Sequence, residues 1–207
     1  LEEMEPNNAY RGARERAIEW TLEGPVRTNQ WEGMYEDGPA SPPFVNLENL
    51  DANEVVRYLV HYRSQYPGFV ETAERVNRWI EDQFVLWQPD DCAAAGQAAT
   101  GNTLGLMNLQ SPTPMVTEQY LCNFPMESHT GNWLISLIAL HQATGKEAYF
   151  NKGIAAANAI VRGQQETGAF STWGFDTRFG RPLSSLDWPG DNACGHTGLQ
   201  LWDRYYR

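Results

Sequence analysis

The segment EQYLCNFPMESHTGNW, Glu118 to Trp133, gathers two carboxylates, a histidine, a cysteine and two large aromatics just ahead of a strongly apolar run. Glu118 and Glu127 can act as proton donor and acceptor, and His129 can exchange a proton near neutral pH. Pro125 and Ser128 suit the start of a helix, which puts Glu127 and His129 in or beside its first turn. There the positive end of the helix dipole favours a carboxylate and disfavours an imidazolium. Glu127 is therefore expected to be ionised and His129 neutral. The same residues also suit a plain collar that satisfies the free amides of a buried helix.

Two further segments carry comparable chemistry. In WEGMYEDGP (Trp31 to Pro39), Glu32, Glu36 and Asp37 are interleaved with Trp31 and Tyr35. Aromatic faces stack on the apolar faces of sugars, while carboxylates bind hydroxyls or move protons. Closely placed carboxylates also push one another's pKa values apart, making one acid and one base. The plainer alternative is a turn around Glu-Asp-Gly-Pro with a packed tryptophan. The third segment, STWGFDTRFGRPLSSLDWPGDNACGH, holds Arg178 and Arg181, whose forked guanidinium groups fit a uronate carboxylate. Trp173 and Trp188 would be flat platforms for sugar rings, and Tyr120 in the first segment a further substrate contact. Asp191 reads as an N-cap. Cys194 and His196 have too few neighbouring ligands for a metal site, so no metal is expected. His61 and His141 fall on helices and read as structural.

The elements that must position these groups are helical. Val55, Val56, Leu59, Val60 and Tyr62 make an apolar stripe, with Asp51 and Glu54 resembling a capping box at its start. Pro67-Gly68 breaks this helix, and Phe69, Ala73, Val76, Ile80 and Phe84 form the stripe of a second one. From His129 to Ala143 the chain is apolar nearly all round, the mark of a buried helix, with Thr144-Gly145 as its stop. Phe150, Ile154, Ala157 and Val161 predict an amphipathic return helix. With an opening helix over Arg11 to Leu22 and a closing one over Asn192 to Tyr205, the count is about six helices and no strand pairs. Three long connections, Gly24 to Leu50, Trp87 to Met126 and Thr167 to Gly190, carry the three segments above; loops of this length are functional more often than not. The expected fold class is all-α: helical hairpins in a single domain over residues 1–207, with the long loops on one face.

Composition narrows the partners. The net charge is −11 and only two lysines occur, Lys146 and Lys152, which argues against a nucleic-acid backbone as ligand. The 42% hydrophobic and 12% aromatic content is ample for a core, and no apolar run is long enough to span a bilayer, so no membrane partner is expected. Cys92, Cys122 and Cys194 allow at most one disulfide within the chain. Walker, GxGxxG, HExxH, EF-hand and GxSxG patterns are all lacking, which removes support for nucleotide-dependent, zinc-peptidase and α/β-hydrolase chemistry.

The helix and loop rhythm, WEGMYEDGP leading into NLDANEVVRYLV, and TEQYLCNFPMESHTGNWLISLIALHQATGKEAYFNKG together resemble the six-hairpin glycosidase superfamily, the (α/α)6 toroids of carbohydrate-active enzymes. The resemblance implies a secreted or periplasmic protein acting on a carbohydrate without a cofactor. Unsaturated-glucuronyl hydrolases of that superfamily use an aspartate pair in contexts with no counterpart here, so no catalytic residue is carried over. A full toroid has twelve helices, and about half that number is expected here. The expectation is a partial toroid, completed by the rest of a longer protein or another chain; a smaller complete helical-repeat domain is the alternative. The expected activity is glycoside hydrolysis by two carboxylates, Glu36 or Asp37 with Glu118 or Glu127, assisted by His129. A polysaccharide lyase using His129 or Tyr120 as base is the second expectation. A non-catalytic domain binding glycans or proteins through its loop face is the third.

Overall fold

The computed structural model of the chain describes residues 10–28, 49–88, 113–117, 126–164, 175–176, 181–182 and 189–207, with backbone alone for 175–176, 181–182 and 189–194. These residues are mainly helical: α1 (Tyr10–Glu23), α2 (Pro25–Thr28), α3 (Asn49–His61), α4 (Phe69–Phe84), α5 (Glu127–Thr144), α6 (Glu147–Gly163) and α7 (Pro189–Tyr206). Two short antiparallel ladders accompany them. β1 (Val85–Leu86) pairs with β2 (Met115–Val116), and β3 (Phe175–Asp176) pairs with β4 (Arg181–Pro182).

Local chemistry sets the helix ends. Gly68 takes a left-handed φ of +85°, turning the chain from α3 into α4, and Gly145 takes φ +67° after α5. The Gly145 N–H donates to the His141 carbonyl at 2.8 Å, closing the end of α5. All five residues of the stripe predicted for α4, Phe69 to Phe84, are buried.

Side-chain pairings fix the helix directions. Asn49 meets His129 and Asn53 meets Ser136, so α3 and α5 run parallel. Gly195 lies against Glu127, Gly198 against Gly131, and Tyr205 bonds His141, so α7 is parallel to them both. On the returning helices, Glu74 meets Lys146 and Tyr149 while Glu81 meets Lys152, so α4 and α6 are parallel to each other. Phe150 stacks on Tyr206 and Gly153 faces Trp202, which makes α6 antiparallel to α7. The result is a layer of α3, α5 and α7, each starting at the same end, backed by α4 and α6.

Helix α5 is the hub, packing on α3, α4, α6 and α7. Trp133, Leu134, Leu137 and Leu140 fill the space between the layers with Leu59, Ile80, Phe84 and Ile160, all fully buried. Two polar chains cross this core. Trp133 Nε1 donates to Asn77 Oδ1 at 3.1 Å, Asn77 Nδ2 donates to Glu81 Oε1 at 2.8 Å, and Lys152 pairs with the other Glu81 oxygen. Glu74 accepts from Tyr149 at 2.7 Å and pairs with Lys146. Burial raises the Glu74 pKa, but the hydrogen bonds from Lys146 and Tyr149 and the nearby positive charges outweigh it, leaving Glu74 below its ordinary value.

Four expectations are corrected. Asp51 is not a cap, because α3 starts at Asn49, and Glu54 pairs with Arg57 instead of closing a capping box. Asp191 is likewise inside the first turn of α7, which begins at Pro189, a residue suited to the first helical position. The buried residues of α6 are Tyr149, Gly153, Ala156, Ala157, Ala159, Ile160 and Gly163; of the predicted stripe Ala157 is among them and Phe150 and Ile154 are partly buried against the core, but Val161 is 56% exposed. Gly153 there admits the Trp202 ring of α7. Strand pairs are present, although each ladder is only two residues long.

The backbone contact between α5 and α7 is testable. A Cβ at Gly198 would lie 2.5 Å from Gly131 Cα, on rigid backbone, whereas one at Gly12 would meet only the Arg16 side chain at 3.4 Å. Gly198→Ala should destabilise the protein by about 1–3 kcal/mol through overpacking. Gly12→Ala should stabilise it by up to about 1 kcal/mol through helix propensity. Urea unfolding of the two variants checks the opposite signs.

Candidate functional site

The starts of α3, α5 and α7 lie together at one end of the layer. The first turn of α5 is polar yet enclosed: Glu127, Ser128, His129 and Thr130 are all buried. Its local order comes from β2. Met126, extended ahead of the helix, donates its N–H to the Val116 carbonyl at 2.9 Å. Thr130 Oγ1 donates back to the Met126 carbonyl at 2.7 Å and accepts from the Val116 N–H at 2.9 Å. Thr117 then joins this to the end of α4, its N–H and Oγ1 both donating to the Phe84 carbonyl, at 2.8 and 2.9 Å.

Residues two apart on a helix point about 200° apart, so Glu127 and His129 cannot form a dyad with each other. Glu127 faces α7: a Cβ added to Gly195 would lie 3.2 Å from Glu127 Cβ. His129 faces α3, with Nδ1 2.8 Å from Asn49 Oδ1. The Asn49 amide in turn donates to the Thr117 carbonyl at 3.0 Å. Further along the same seam, Ser136 donates to Asn53 Oδ1 at 2.7 Å, and Arg57 reaches the Asn132 side chain at 3.3 Å. Burial lowers the His129 pKa to about 4, so the ring is neutral at physiological pH, as the sequence predicts. The cause is desolvation. Ser128 Oγ, in the same turn, has no hydrogen-bond partner among the described residues.

Of the residues expected to form a site, the structure describes the side chains of Glu127 and His129. Trp31, Tyr35, Glu36, Asp37, Glu118, Tyr120, Trp173, Arg178 and Trp188 lie outside the described residues, and Arg181 is placed by its backbone in β4. His141 bonds Tyr205 at 2.5 Å between α5 and α7, the structural role expected of it. Sequence reasoning overlooked Asn49, Asn53, Thr117 and Ser136. A signal was present for the first two, since Asn49, Asn53, Val56 and Val60 continue one helical stripe from polar into apolar residues.

The arrangement offers an oriented neutral imidazole and a carboxylate on the two flanks of one helix start. It can exchange protons and accept hydrogen bonds. Among the described residues no cluster of His, Cys, Asp or Glu could hold a metal ion, and no helix is long and apolar enough to cross a membrane. No protein-family model matches the chain, and no curated protein matches it significantly.

His129 should also leave a mark on stability. Above its ordinary value of 6.5 the ring is neutral folded and unfolded; between 6.5 and about 4 the unfolded chain binds a proton that the folded chain refuses. Stability therefore falls as pH falls through that window, by up to about 3 kcal/mol from this residue. In urea unfolding from about pH 7 to about pH 4, His129→Gln should show a shallower decline than the wild type. Glu74 acts mainly below this window and cancels in the comparison.

Proposed function

We propose that the protein is a carbohydrate-active enzyme that hydrolyses a glycosidic bond in a poly- or oligosaccharide, built on part of an (α/α)6 toroid. Three parallel helices backed by antiparallel returns are what half of such a ring would contain, which supports the toroid reading. The rest of a longer protein, or another chain, would complete the ring.

The observation that carries the functional reading is the buried polar start of α5, with Glu127 on one flank and a neutral, oriented His129 on the other. Burial of such groups costs free energy unless they are paired, and sites of proton transfer concentrate them. In this reading one carboxylate, Glu118 or Glu127, works with Glu36 or Asp37. One protonates the leaving oxygen and the other activates water or attacks the anomeric carbon. His129 assists by accepting a proton, and Trp31, Tyr35, Tyr120, Trp173 and Trp188 bind the sugar rings. The resemblance also favours an extracellular or periplasmic location.

The neutrality of His129 favours a second reading, a lyase, because a neutral imidazole can take the proton that β-elimination removes. Arg178 and Arg181 would neutralise the uronate. Incubation with a panel of neutral and uronate-containing polysaccharides separates the two. Hydrolysis gives new reducing ends without ultraviolet-absorbing product, and elimination gives absorbing unsaturated ends. His129→Ala should lower turnover by about a hundredfold or more with an unchanged helical circular-dichroism signal. Inactivity across the panel with retained glycan binding would replace both readings with a binding domain.

A further inference from the structure

We propose that Asn49 is a positioning residue for His129: anchored on the Thr117 carbonyl, its side chain holds the imidazole with the proton on Nδ1 and presents Nε2 as the nitrogen that works. An amide has one donating and one accepting end. Asn49 Nδ2 donates to the Thr117 carbonyl at 3.0 Å, so the end that faces His129 Nδ1 at 2.8 Å is the oxygen. An oxygen acceptor requires an N–H opposite it, which fixes the tautomer.

The anchor is rigid. Thr117 is held through both its N–H and Oγ1 on the Phe84 carbonyl, and Asn53 Nδ2 donates to the Asn49 backbone carbonyl at 3.0 Å. Asn49, Asn53 and Thr117 are all fully buried, so water does not compete for these bonds. Nε2 is then the ring nitrogen left without a proton. It carries the lone pair, so the first act of His129 is to accept a proton or a hydrogen bond from a hydroxyl group or water. A carboxylate in the place of Asn49 would draw the ring toward imidazolium; the amide selects the neutral form.

The catalytic part of this inference rests on the proposed enzymatic reading; the tautomer does not. Long-range proton–nitrogen NMR of the imidazole rings in the 15N-labelled chain tests it directly, His129→Gln deleting one of four histidine signal sets and so assigning it. At neutral pH the His129 spectrum should show a protonated Nδ1 and an unprotonated Nε2. A protonated Nε2 in the wild type overturns the inference, whatever the variants do. Asn49→Leu should shift the ring toward the Nε2–H tautomer, and Asn49→Asp should give imidazolium. On any glycan that is turned over, Asn49→Leu should cut kcat on the order of tenfold or more with KM little changed. Unchanged kcat beside a shifted tautomer overturns the positioning role. The expected wild-type spectrum without turnover of any glycan defeats the enzymatic reading and leaves the ring geometry standing.

Discussion

Enclosure of α5 is the constraint on which the remaining structure depends. Neighbours on every side bury its apolar body, and they also bury the polar residues with which it begins. A helix start without a side-chain cap leaves amides that must find partners or cost about 1–3 kcal/mol each. Here β2 is threaded alongside, and the Val116 carbonyl takes the N–H of Met126 at the helix start. Asn49 then brings the start of α3 to the same place.

The two seams within the α3, α5 and α7 layer solve different problems. Between α5 and α7 the backbones approach so closely that glycine faces glycine, Gly131 against Gly198, and contact is made by main chain. Between α3 and α5 the seam is polar at the helix starts and becomes apolar toward Leu59 and Leu140. Hydrogen bonds set register where directional bonding is available, and shape sets it elsewhere. A helix held in both ways has little freedom to slide, which suits a residue whose ring must be held at a fixed angle.

Much of this was legible in the residues. The α3–α4 and α5–α6 hairpins follow from apolar spacing and from Gly68 and Gly145, because local sterics and burial act within one helix. The neutral state of His129 follows from its place at a buried helix start. What was not legible depended on neighbours. The place of Gly153 on the buried face of α6 depends on the Trp202 ring, supplied by a helix some fifty residues further along. The partnership of Asn49 with Thr117 and His129 joins three remote positions, and a lone asparagine ahead of a helix reads equally well as a cap. Glu127 and His129 stand two residues apart in the chain, and helical geometry sends them to opposite flanks.

The lysines carry a consequence of another kind. The chain has only two, and each lies against a buried glutamate of α4, Lys146 with Glu74 and Lys152 with Glu81. Arginine supplies the remaining basic side chains. Reagents that acylate amines, including common dyes and coupling resins, would therefore find their side-chain targets at the α4–α6 seam. Their attachment would strip the countercharge from a carboxylate the fold has taken out of water, so labelling would perturb the α4–α6 seam, beginning at Lys146, whose side chain is 58% exposed.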